Sequence, residues 1–423
     1  MMAFPIATVA EQKLQRPGWH WRRLQELAKL ESGHTPSRKM PEWWGGEVPW
    51  LALPDIRAAD GKTILETSER TNELGLKNSS ARLLPEDTIA LSRTASVGFV
   101  ARFGRPMATS QDFVNWICGP ELDPGFLLHA LRYSRPFLLS VASGAIHKTI
   151  YMNVLEDFRI FVPQRKEQEQ LARQLDTQLA HIDTARQAAE RRVKAAEGLE
   201  AALFREAFHG VVPVVIGAPQ EAAPAGWSWH RLATLARLES GHTPSRKHPE
   251  WWGGDIPWIA LPDIRALDGK VAMETKEKTN PAGIANSSAR ILPPDTVMLS
   301  RTASVGFVAI MGRPMATSQD FVNWVCGERL APRFLMHALR SGRDYFLSQA
   351  SGAIHKTLYM PALKDLSVCL PDRPAQDALA ARLDDQLAAA TTVLTSARAE
   401  LKAIEALPAA VLRRVFEPAP ASS

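Results

Sequence analysis

A chain of 423 residues exceeds what one hydrophobic core sustains, since single cores stop growing near roughly 250 to 300 residues, so at least two domains are expected. The composition is globular and tilted basic, 45% hydrophobic and 22% charged with a net charge of +5, which excludes a disordered or collagen-like chain and permits a nucleic-acid partner without demanding one. No run of about 18 apolar residues exists to span a bilayer. The first residues lack the basic start and long apolar stretch of a secretory signal, and Cys118, Cys326 and Cys369 form no close pair. A disulfide framework and a cysteine-based zinc site are therefore unexpected, and a cytoplasmic protein is.

Self-comparison finds the chain written twice at a constant offset. LESGHTPSRK at Leu30–Lys39 returns at Leu238–Lys247, and PEWWGG at Pro41–Gly46 returns at Pro249–Gly254. LSRTASVGFVA at Leu91–Ala101 recurs at Leu299–Ala309, GRPMATSQDFVNW at Gly104–Trp116 recurs at Gly312–Trp324, and ASGAIHKT at Ala142–Thr149 recurs at Ala350–Thr357. A period this long is domain duplication, not a solenoid.

In chain order, an arm over 1–17 precedes a globule over 18–163. There, short apolar runs at Val48–Leu53, Thr88–Leu91, Val97–Ala101 and Phe158–Val162 read as strands between turn-forming residues, and Pro124–Ser140 reads as a helix. A mixed α/β (α+β) domain results. The segment 164–210 is predicted as a long spacer helix, because Arg165–Phe208 within it holds no proline, a single glycine and many good helix formers. Its Leu175, Ile182, Ala189, Ala196 and Leu203 are spaced by seven. A Pro- and Ala-rich stretch over 211–226 reads as a linker.

The second globule covers 227–371 and the second spacer helix 372–417, followed by a tail over 418–423. This helix carries heptads at Leu383, Ala390, Ala397, Ile404 and Val411, and at Leu387, Leu394 and Leu401. Sustained heptads predict an antiparallel coiled coil of the two helices, and 44 helical residues would extend for roughly 66 Å.

Two similar globules, each followed by a heptad helix, imitate a DNA-binding dimer within one chain, and twofold-related readers engage a split, palindromic target. The order of parts, with G-x-T-P-S-R-K followed by E-W-W-G-G-x-[VI]-P-W, an S-S-A-R block and S-G-A-I-H-K-T, resembles the specificity subunits of type I DNA restriction-modification systems over nearly the whole chain. The resemblance implies two target-recognition domains, at 18–163 and 227–371, that read a bipartite sequence on double-stranded DNA. It further implies two modification subunits, which methylate adenine with S-adenosylmethionine held on those partners, and restriction or translocase subunits as further partners. No cofactor, metal or membrane is expected for this chain. The family's two recognition domains usually differ, whereas here they are nearly the same, which points away from an asymmetric target.

Base-edge readout needs polar side chains on exposed loops, so polar blocks present in both copies are the candidates. Gln111 and Gln319 could pair with an adenine edge, or satisfy backbone groups at a buried turn. Arg93 and Arg301, followed by Thr94 and Thr302, could fork onto guanine, or pair with an internal carboxylate. Lys148 and Lys356, beside His147 and His355, suit phosphate, as do Arg38, Lys39, Arg246 and Lys247. The Ser80 and Arg82 block, repeated as Ser288 and Arg290, belongs to the same group. The tryptophans read as packing residues. His34, His129 and His147 lack metal-ligand spacing.

An enzyme reading rests on Pro54–Lys62, repeated at Pro262–Lys270, where P-D and D-x-K formally match the acidic pair plus lysine of metal-dependent nucleases. Asp60-Gly61 is also a common turn dipeptide. Neither an Asn-Pro-Pro-aromatic methyltransferase motif nor a phosphate-binding G-x-x-x-x-G-K-[ST] loop is present, so the chain itself is expected to be non-catalytic. A coiled-coil adaptor that binds proteins is the remaining class.

Overall fold

The computed structural model describes residues 3–144, 148–352 and 356–417. Two compact units emerge, one from residues 1–190 together with 399–423 and one from 191–398. Each has the same architecture.

In the first unit a five-stranded sheet runs in the order Ala28–Ser32, Phe113–Cys118, Ile89–Ser92, Val100–Phe103, Lys62–Ile64. It is antiparallel except for its last pair. A second sheet places Trp44–Leu51 between Glu69–Thr71 and Ala108–Thr109, with a bulge between Trp44 and Val48. A third joins Ile6–Ala7, Arg159–Val162 and His20–Arg23. Alternation fails along Ile89–Ser92, where all four residues are buried, because this central strand is covered on both faces. Trp116, Phe126, Phe137 and Phe158 fill the larger core, and Leu51, Ile56, Phe103 and Phe113 a smaller one.

The second unit repeats this register. Val114 pairs with Ser32 and Val322 with Ser240; Ile6 pairs with Ile160 and Val214 with Val368. That last correspondence places an edge strand inside each of the stretches read as the linker 211–226 and the arm 1–17. Each contributes an edge strand, fixed by backbone bonds from Phe161 N to Pro5 O (2.8 Å) and from Cys369 N to Pro213 O (2.9 Å). An edge strand needs only a backbone and alternate apolar side chains, so two copies can share it with little identity.

Pro124–Ser140 is also two helices, Pro124–Tyr133 and Arg135–Val141. Pro136 has no N–H to continue the ladder, and Gly342 marks the same break in the second unit. The first spacer divides likewise into Arg165–Glu197 and Leu199–Ala207 at Gly198, whose N–H bonds three residues back to Ala195 O (3.2 Å) instead of four. The second spacer is one helix over Arg373–Phe416, continuing through Pro408.

Every predicted heptad position is buried or half-buried, from Leu175 and Leu383, with no exposed surface, to Ile182 and Leu401. Within the first unit Leu171, Leu175 and Leu179 share a core with Val411, Leu412, Val415 and Phe416, so the start of one spacer lies beside the end of the other. The second unit brings Leu379, Leu383 and Leu387 together with Phe204 and Phe208. Both pairings are antiparallel.

The attachment of each spacer is polar as well as apolar. Buried Gln168 accepts from Asp123 N (2.9 Å) and donates to Pro163 O (2.9 Å), and Gln376 makes the same pair of bonds to Ala331 N and Pro371 O. Phe416 then packs 5.5 Å from Phe126, and Phe208 packs 5.8 Å from Phe334. No helix among the described residues is long and apolar enough to cross a membrane.

Candidate nucleic-acid interface

Three blocks separated in sequence meet at one edge of each lobe. The turn after Ile89–Ser92 is closed by Gly98 N to Ser92 O (3.0 Å) and Phe99 N to the Ser92 hydroxyl (3.1 Å). Arg93 N donates to Asp112 O (2.8 Å), Ala95 N to Lys148 O (3.1 Å), and Ile150 N to Arg93 O (2.9 Å), while Thr94 is bridged to Thr149. Main-chain bonds thus hold Arg93, Thr94, Gln111 and Lys148 on one surface. The second lobe repeats them through Arg301 N to Asp320 O (2.8 Å), Ala303 N to Lys356 O (3.1 Å) and the Thr302–Thr357 bridge.

At the tip of the turn Ala95 has φ +60° and Ala303 φ +57°. A left-handed alanine carries strain that only the surrounding bonds sustain, and such strain clusters where a loop must hold one shape.

The side chains at this edge fall into two kinds. Arg93 meets no carboxylate among the described residues: its Nη1 lies 3.5 Å from Ile150 O and its buried Nε has no partner. Among the described residues Arg301 reaches only the carbonyls of Gln319 (3.1 Å) and Leu358 (3.4 Å). The internal ion pair considered for these arginines is therefore not found among the described residues. Gln111 and Gln319 are exposed, so the buried-turn alternative does not describe them. Their Oε1 atoms accept from Thr35 and Thr243, which leaves the amide N–H groups without a partner among the described residues. Lys148 is exposed, and the Lys356 Nζ lies 3.5 Å from Leu347 O. His147 and His355 lie outside the described residues.

Arg38 differs. Its Nη2 donates to Glu69 at 2.7 Å and its Nη1 to the other oxygen, while its guanidinium lies 4.1 Å from the Trp44 ring and 5.0 Å from Trp50. The Arg38 hydrogen bond holds the Glu69 carboxyl below the usual carboxylate range. Arg246 repeats the arrangement with Glu277 (2.7 Å), Trp252 (4.0 Å) and Trp258 (5.2 Å). A cation already paired and stacked is poorly placed to serve as a free phosphate contact; it braces the wall of a cleft of about 490 Å³ that also holds Thr35 and Gln111. Lys39 and Lys247, next in sequence, are exposed with no side-chain partner among the described residues.

The Ser80 and Arg82 block sits at the end of a short helix. Ser80 and Ser288 are exposed, while Arg82 donates to Glu31 (2.6 Å) and Arg290 to Glu239 (3.1 Å). Lys29 and Arg82 hold the buried Glu31 carboxyl below its ordinary value.

Sequence reasoning missed Thr35 and Thr243, whose repetition inside G-x-T-P-S was a visible signal. It also missed Tyr151 and Tyr359, 56% and 59% exposed beside the lysine segment in both copies.

The nuclease reading loses its groups to the fold. Asp55 accepts from Ala52 N (3.1 Å) and Ser68 N (2.9 Å); Asp60 accepts from Val100 N (3.1 Å) and pairs with Arg135 (2.6 Å); Lys62 pairs with Asp183 (3.0 Å). Among the described residues no group of three or more His, Cys, Asp or Glu is placed to hold a metal ion. His129 is buried and bonded through Nε2 to Asp176 (2.7 Å), and His337 to Asp384 (2.9 Å). Burial pushes the Cys118 and Cys326 thiols up to about 12, away from thiolate chemistry.

A duplicated α/β lobe with an arginine, a glutamine and a lysine gathered on one braced edge places the chain in a class of tandem-lobed proteins. The chain belongs to the type I restriction modification DNA specificity domain family, whose model matches residues 17–191 and 224–403.

Among curated relatives it is similar to the MjaIX specificity subunit of Methanocaldococcus jannaschii, 22% identical over 292 residues covering 67% of this chain and 66% of that one. It is also similar to the HindI specificity subunit of Haemophilus influenzae, 29% identical over 129 residues covering 30% and 28%. The chain thus spans less than two thirds of the length of these two relatives.

The fold matches a chain from a study of complex assembly and conformational transition of the type I R-M system, with TM-score 0.68, 18% identity, and coverage of 96% of this chain and 99% of that one. It also matches the HsdS subunit from Thermoanaerobacter tengcongensis, with TM-score 0.58, 18% identity, and coverage of 95% and 97%.

Proposed function

We propose that this chain is the sequence-reading subunit of a type I restriction-modification methyltransferase, in which each lobe reads one half of a bipartite target. The observation that carries this reading is the edge formed by Arg93, Thr94, Gln111 and Lys148, rebuilt with the same backbone bonds at Arg301, Thr302, Gln319 and Lys356. Equal readers select equal half-sites, so the target is palindromic. Arg93 and Arg301 fork onto guanine; Gln111 and Gln319 donate to base acceptors; Lys148, Lys39 and their repeats contact phosphate.

The spacer helices set the distance between half-sites and dock two modification subunits, which carry S-adenosylmethionine and perform the methylation. The role of this chain is selection and positioning without catalysis, in a cytoplasmic complex that restriction subunits can join. Methylome sequencing of a host expressing the complex tests the reading: adenine methylation in a split palindrome is expected, and an asymmetric motif would refute the equal-reader argument. Shortening one spacer helix by about two turns is expected to change the gap between half-sites and leave the half-sites themselves unchanged.

A further inference from the structure

The duplication supplies an internal control for a cleft beside the spacer helices. Arg132 and Arg340 are the same residue in the two copies, near the ends of Pro124–Tyr133 and Pro332–Ser341. Each guanidinium lies across a left-handed glycine, Gly61 (φ +71°) or Gly269 (φ +72°), where an added Cβ would come within 2.7 or 2.6 Å of the guanidinium carbon. The arginine seat is therefore the same in both lobes.

What faces the seat is not the same. In the second unit Arg340 donates to Glu200 (2.7 Å), lies 3.6 Å from Asp268 and covers the Phe204 ring at 5.4 Å. Glu200 and Phe204 belong to the helix Leu199–Ala207. In the first unit the docking helix is the end of Arg373–Phe416, and the repeat puts Pro408 where Glu200 stands and Leu412 where Phe204 stands.

Proline supplies no carboxylate, and Arg132 has no hydrogen bond or ion pair with any of the described residues. Burial pushes its pKa down. Asp60 is held by Arg135 (2.6 Å) as its equivalent Asp268 is by Arg343 (2.5 Å), but only Asp268 also lies within ion-pair distance of the seated arginine, at 3.6 Å.

The space left open is a cleft of about 590 Å³, and Arg132 lines it together with His129, Asp183, Arg186, Glu405 and Pro408. Most of the other charges there are spent: Asp183 on Lys62 (3.0 Å) and Arg186 (2.9 Å), and His129 on Asp176 (2.7 Å). Glu405 is exposed on the helix surface.

We infer that the first lobe binds a small carboxylate in this cleft, gripped by Arg132 in the position that Glu200 occupies over Arg340. The second lobe has a cleft of about 500 Å³ beside Arg340, but there the arginine is already held by the chain's own carboxylate, Glu200. A fork of guanidinium donors matches a planar carboxylate through two parallel bonds, and partial burial strengthens them. The inference is independent of the DNA-reading proposal, because it rests on the helix-docking face and not on the Arg93 edge.

The test titrates full-length protein with sodium succinate at constant ionic strength, followed by calorimetry and by Tm. One saturable site per chain and a rising Tm are expected, with no response to sodium chloride. Arg132→Ala abolishes the response; Pro408→Glu, which keeps the arginine and restores the missing acid, abolishes it as well; Glu200→Ala opens a second site and doubles the stoichiometry. An equal response in wild type and Pro408→Glu would overturn the inference, as would an unchanged stoichiometry in Glu200→Ala. Preference for inorganic phosphate over succinate, or binding of neither, overturns it too.

Discussion

The reading edge and the helix-docking face of the same lobe have diverged by very different amounts. At the edge, Arg93 and Arg301, Gln111 and Gln319, and the bonds that hold them are alike in the two copies, down to a left-handed alanine at the tip. On the docking face, Phe126 and Phe334 receive equivalent phenylalanines, yet a glutamate in one copy is a proline in the other. Apolar docking tolerates substitution around a kept anchor, because burial is non-directional. A directional polar cluster loses its geometry with any change in its members.

The strongest way to break this comparison is to remove an anchor. Phe416→Ala is expected to destabilise the first unit by about 3 to 5 kcal/mol, the usual cost of deleting a buried phenylalanine side chain. Hydrogen exchange should show faster amide exchange over 122–162 with the second lobe unchanged, and Phe208→Ala should give the converse. Equal loosening of both lobes by either substitution would dissolve the distinction.

Next in size is the reading edge. Arg93→Ala is expected to cost about 1 to 3 kcal/mol of specific DNA affinity and to relax one position of one half-site, with Arg301→Ala relaxing the matching position of the other. Competition binding with duplexes altered in a single half-site measures this, and a loss shared equally by all sequences would reassign the arginines to phosphate.

Lys148→Ala should show that second behaviour instead, weakening every duplex alike and reducing the salt slope by about one.

The smallest effect is electrostatic. Glu69 is held below its ordinary pKa by Arg38, so its contribution to stability is present above the unfolded-state pKa and fades as pH falls through the folded-state value. Both side chains are more than one third exposed, which limits the pair to less than about 1 kcal/mol. Glu69→Gln should therefore flatten the acid limb of the stability profile slightly, and a Tm series across the acidic range would detect it.

Much of this was legible before any coordinates. The duplication was carried by polar blocks too long to match by chance, and the spacers by heptads whose positions are all at least half-buried. The edge strand at Val214–Ile216 was hidden because its role is written in backbone hydrogen bonds, which leave little trace in side-chain identity. Gly198 was seen as an exception among helix formers, but its effect depends on how the flanking turns pack. The pairing of Arg38 with Glu69 spans 31 positions and a strand bulge, so no local pattern could separate it from the unpaired Arg93. Both look the same in a string of letters.

The exchange of helix ends has a consequence for biosynthesis. Tyr133 waits for Glu417, 284 positions later, and Arg16 for the carbonyl of Val415, 399 positions later. The second lobe, by contrast, emerges from the ribosome after Phe204 and Phe208 are already available to it. The nascent first lobe therefore carries an open aromatic socket until the end of the chain has been translated.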